Sequence, residues 1–80
     1  MPSILRLGDR DSRGDAMVEA SKNVFANNRA VCRVGDKDGR NDTVVGGSKT
    51  VYINGLPAAR NGDLDTRKDA ESSDSSVIVG

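Results

Sequence analysis

A shift of 27 residues lays this sequence on itself, and that repeat constrains the fold more than any bulk property of the chain. Ser21-Lys22-Asn23-Val24-Phe25-Ala26-Asn27-Asn28 falls on Ser48-Lys49-Thr50-Val51-Tyr52-Ile53-Asn54-Gly55. Downstream, the pattern R-x-G-D-x-D-x-R-x-D occurs three times at the same interval, starting at Arg6, Arg33 and Arg60. Nine of the ten aspartates lie in this register, which composition alone does not produce. The chain opens in the second half of a unit and closes on Ser75-Ser76-Val77-Ile78-Val79-Gly80, which resembles the first half with a one-residue slip. Such cyclic permutation predicts a closed, pseudo-three-fold arrangement in which the two termini complete the third unit. A linear solenoid, with end repeats that need polar caps, fits less well.

Within a unit, Val51, Tyr52 and Ile53 are β-formers, followed by Asn54-Gly55, the preferred pair for a type I′ hairpin turn whose central residues need positive φ. Asn27-Asn28 stands in the same place one unit earlier. Gly8, Gly35 and Gly62, each followed by Asp, mark tight turns leaving the hairpins, where an aspartate can bond nearby backbone N–H groups. Only Asp15 to Asn23 has room for a helical turn or two. The expected fold class is all-β: a small cone of short β-hairpins in one domain, residues 1–80, with no effector extension.

With 80 residues, 35% of them apolar, the core is thin, and a domain of this size usually needs a disulfide, a metal or a partner. The single Cys32 excludes an internal disulfide, and the absence of histidine removes the commonest zinc ligand. A partner is the favoured remainder. Twelve basic residues against twelve acidic leave no basic stripe, so no nucleic-acid partner is expected. Neither a membrane span nor a secretory leader is legible, which predicts synthesis in a cytoplasm.

The segment Val51 to Asp63 resembles the signature of PAAR-repeat proteins, with Pro57-Ala58-Ala59-Arg60 as the naming motif and Val24 to Asp36 as a degenerate copy. The resemblance implies a structural spike-tip protein that caps the homotrimeric β-helical spike of a contractile injection machine, one chain per trimer, and sharpens it against the target cell envelope. A phage tail baseplate is the favoured setting, with the chain at the spike tip in the virion. Alternatives are a type VI secretion adaptor that attaches effectors to the spike, and a small acidic-loop calcium-binding β module. Many relatives hold zinc near the apex with histidines and a cysteine. Here Arg13, Arg40 and Arg67 stand at the typical histidine position and Cys32 aligns with Ala59 inside the hairpin, so no zinc and no other cofactor is expected.

Every loop arginine is bracketed by acids: Asp11 and Asp15 around Arg13, Asp38 and Asp42 around Arg40, Asp65 and Asp69 around Arg67. If the loops converge at an apex, these nine residues can form an ion-pair network between neighbouring units in place of the metal. The D-x-D-x-x-x-D spacing also suits oxygen-ligand calcium loops, but the arginines argue against a cation there. Leu56, Pro57, Ala58 and Ile78 are the candidate spike-binding base. Phe25 and Tyr52 are expected in core or base packing, Arg33 and Arg60 in pairs with Asp36 and Asp63, and Cys32 as a buried small hydrophobe. With no histidine and with acids held ionised beside arginines, no catalytic constellation is present and no enzyme activity is expected.

Overall fold

A computed structural model describes residues 2–80, and among them there is no helix. Two antiparallel hairpins are formed by two-residue strands, β1 (Phe25–Ala26) with β2 (Arg29–Ala30) and β3 (Tyr52–Ile53) with β4 (Leu56–Pro57). Their turns adopt the left-handed backbone that the sequence allows: Asn27 and Asn28 at φ 52° and 68°, Asn54 and Gly55 at 54° and 83°. The rest of the architecture consists of isolated antiparallel bridges. Residues 16 and 17, in the one segment with room for a helical turn, instead pair with Arg10 and Asp38. In this compact chain the backbone groups of that segment find partners in neighbouring units sooner than within a turn.

The termini pair with each other. Ser3 bridges Ile78, as Ala30 pairs with Phe25 and Pro57 with Tyr52. Val31 N bonds Val24 O and Ala58 N bonds Val51 O, whereas Ile4 N bonds Val77 O at 2.8 Å, one residue short of the 27-residue register. Three backbone bonds then run in a closed cycle: Cys32 N to Leu5 O, Ala59 N to Cys32 O and Leu5 N to Ala59 O, at 2.8, 3.1 and 2.9 Å. Each segment thus donates to the next and no strand edge is left open at this level.

Two small apolar clusters flank the cycle. One holds Ile4, Ala26, Val31, Ala58 and Val79; the other holds Leu5, Met17, Cys32, Val44 and Ala59. Among the described residues only ten apolar ones are buried, matched by ten buried polar or charged ones, so the interior is as much polar as apolar. The Cα extents are 24 × 22 × 22 Å. Chain order carries each unit from its hairpin through the clusters to its R-x-G-D-x-D loop, so each unit has a hairpin part and a loop part.

Candidate functional site

At the loop end the G-D turns are built alike. The Arg6, Arg33 and Arg60 N–H groups donate to Oδ2 of Asp9, Asp36 and Asp63 at 2.8, 2.8 and 2.7 Å. Arg33 and Arg60 then fork back onto the same carboxylates through Nε and a terminal nitrogen, at 3.0–3.1 Å. These side-chain bonds to Asp36 and Asp63 raise both arginine pKa values. Arg6 departs from the pattern: its guanidinium reaches Asp74 Oδ1 at 3.0 Å, and Asp9 Oδ1 is taken instead by Arg29 at 3.3 Å.

Beyond the turns, Asp11, Asp38 and Asp65 each fold their own loop over one oxygen. Oδ1 of Asp11 accepts from the N–H groups of Arg13 and Asp15, that of Asp38 from Arg40 and Asp42, and that of Asp65 from Arg67 and Asp69, all at 2.8–3.0 Å. The loops then meet in a closed cycle of ion pairs. Arg40 Nε lies 3.2 Å from Asp15 Oδ1, Arg67 Nε 3.8 Å from Asp42 Oδ2, and Arg13 Nε 3.9 Å from Asp69 Oδ2. Each arginine crosses to the carboxylate of a neighbouring loop. Asp11, Asp38 and Asp65, grouped with them on sequence grounds, form no ion pair with these arginines, because Oδ1 is committed to the loop backbone and Oδ2 is buried without a hydrogen-bond partner.

A fourth carboxylate joins those three. Glu71 is 1% exposed, and a carboxylate oxygen of each of Asp11, Asp38, Asp65 and Glu71 lies within 4.8 Å of the others. Sequence reasoning passed over Glu71, although the 27-residue register aligns it with Met17 and Val44 in a column otherwise apolar and buried. Burial first, then the charges of Asp11, Asp65 and Asp38, pushes Glu71 up to about 8. Burial raises Asp65 too, whereas in Asp11 the N–H donors of Asp15 and Arg13 outweigh burial and leave the pKa lowered.

At the hairpin end, Phe25, Tyr52 and Ile78 are 61%, 58% and 48% exposed. The first two therefore stand on the surface rather than in the core, since on a two-residue strand one side chain points in and the next out, and Ala26 takes the inward place beside Phe25. Of the residues expected at the base, Leu56 and Ile78 are exposed and Pro57 is half-buried, but Ala58 is fully buried in the first apolar cluster and offers no contact surface. Side-chain bonds tie the hairpins to their neighbours: Asn54 to Ser21 and Asn23, and Asn27 to Ser76.

A nitrogen- and sulfur-ligated zinc does not fit this chain. Histidine is absent, and Cys32 is fully buried in the second cluster with Sγ 3.4 Å from Glu19 O. Burial, followed by the charges of Asp36 and Asp9, pushes its thiol well above the ordinary range, away from the thiolate that ligates metals.

The family model for the PAAR motif matches residues 7–66. The chain belongs to the PAAR-motif family. Membership indicates a spike-tip or adaptor protein of contractile injection systems, and PAAR proteins generally associate with a spike. No curated protein matches the chain. The PAAR letters of this chain have physical reasons: Pro57 pairs with Tyr52 in the hairpin and its carbonyl accepts from Val34 N. Ala58 and Ala59 are 0% exposed where three segments converge, and Arg60 locks the G-D turn through Asp63.

Proposed function

We propose that this PAAR protein caps a homotrimeric β-helical spike, one chain per trimer, as the structural tip of a contractile phage tail. The observation that carries the reading is the trio Phe25, Tyr52 and Ile78, large apolar side chains in matching places on three hairpin-like pairings, all facing solvent. Three similar apolar contacts suit three identical subunits, because a closed set of equivalent patches meets a symmetric partner best on the symmetry axis. The end of a β-helix needs such a cover, since its last strands otherwise present unpaired backbone groups to water. Leu56 and Pro57 extend the same base. The opposite end, closed by the ion-pair cycle of Arg13, Arg40 and Arg67, becomes the leading point against the cell envelope. The role assigned is mechanical and involves no catalysis.

The test is a pull-down of the full chain with the C-terminal fragment of its candidate spike, alongside a Phe25→Asp/Tyr52→Asp variant. The wild type is expected to bind and the variant to lose binding at an unchanged melting temperature. Equal binding by both would refute the assigned base.

A further inference from the structure

We infer that Asp11, Asp38, Asp65 and Glu71 form an all-oxygen binding site for a single hard divalent cation of the calcium class, which ties the three loops together. The three aspartates come from the repeat, are 5%, 2% and 1% exposed, and each leaves Oδ2 buried and without a hydrogen bond. Glu71 is the independent observation. It is 1% exposed, both of its oxygens lack a hydrogen-bond partner, and it reaches the aspartate oxygens from a position where the register elsewhere places Met17 and Val44.

The geometry accepts an ion. Carboxylate oxygens bind calcium at roughly 2.4 Å, so two ligands on opposite sides of it lie about 4.8 Å apart. Oxygens mutually within 4.8 Å meet that upper limit for ligands of one ion. An all-carboxylate donor set selects calcium, magnesium or manganese over softer metals. The loop arginines do not oppose the ion as their sequence positions suggested, because their guanidinium groups turn outward to Asp15, Asp42 and Asp69 and are 40–53% exposed. Without a counter-charge, four carboxyl groups crowded into one buried place repel one another; a bound cation offsets that repulsion and holds the loops together.

The test treats the full chain with EDTA, exchanges it into metal-free buffer and titrates it with calcium chloride and with manganese chloride by calorimetry. One saturable site per chain is expected, with a melting temperature raised by about 10 °C or more at a hundredfold excess over Kd. Two variants separate ligation from folding. Glu71→Met restores the apolar column and is expected to melt above EDTA-treated wild type, while binding calcium at least tenfold more weakly. Asp38→Asn keeps the Oδ1 acceptor that shapes its loop, and is expected to weaken calcium similarly. Absence of a binding heat with either ion together with a melting temperature indifferent to EDTA, or wild-type affinity in Glu71→Met, would overturn the inference.

Discussion

Replacing Arg40 with Ala removes one link of the ion-pair cycle, and the structure sets the size of the effect. Arg40 Nε lies 3.2 Å from Asp15 Oδ1, the shortest of the three links, with the two side chains 53% and 18% exposed. An exposed pair contributes about 0–1 kcal/mol. The rest comes from Asp15, whose Oδ2 is buried without a hydrogen bond and whose Oδ1 has Arg40 as its side-chain donor. Leaving a largely buried carboxylate without that donor costs about 1 kcal/mol more. The expected loss is about 1.5 kcal/mol, which in a chain of this length lowers the melting temperature by roughly 6–12 °C. Circular dichroism melts at low salt, with Arg10→Ala as the control, measure it. Arg10 is exposed and donates only to Gly14 O, so its removal is expected to stay within about 0.5 kcal/mol. Added salt screens the exposed side of the pair, so the Arg40→Ala deficit shrinks toward 1 M. An Arg40→Ala melt equal to wild type at low salt would refute the structural role given to the cycle.

Asp36→Ala strips the partner from Arg33 N and from the Arg33 guanidinium at a 4% exposed position, and is expected to cost about 2–4 kcal/mol by urea denaturation, against under about 0.5 kcal/mol for exposed Lys49→Ala. Lys68 holds φ 67° where the equivalent loop position carries Gly14 at φ 89°, so Lys68→Gly is expected to gain about 0.5–1 kcal/mol and Gly14→Ala to lose about 1 kcal/mol in the same assay. In metal-free buffer, stability is expected to fall as pH rises from about 4.5 to about 8, because Glu71 binds a proton more tightly in the folded chain than in the unfolded one. Asp11, whose pKa is lowered on folding, acts in the opposite sense and erodes stability as pH drops below 3.8, so melting temperatures across pH 3–9 should peak at about pH 4.

The hairpins, the G-D turns and the family were legible because they rest on local rules. Asn54-Gly55 needs positive φ, an aspartate after a turn glycine caps its own backbone, and three copies of one pattern exclude accident. Side-chain direction was not legible. In D-x-D-x-R the spacing does not say which carboxylate faces an arginine, and the backbone bonds to Oδ1 of Asp11, Asp38 and Asp65 decide that the outer aspartates do. Two-residue strands carry no periodicity from which to place Phe25 and Tyr52 outside and Ala58 inside. Glu71 could have been found. Reading the register as columns, rather than as motif letters, shows an acid beside Met17 and Val44.

The central claim, a single tip on a trimeric spike, is tested most directly by the stoichiometry of the complex. Native mass spectrometry of the full chain mixed in excess with the purified trimeric spike fragment is expected to show one added mass of 8.4 kDa per trimer and no higher adduct. Three added chains per trimer, or a trimer that remains bare under excess tip, would contradict it.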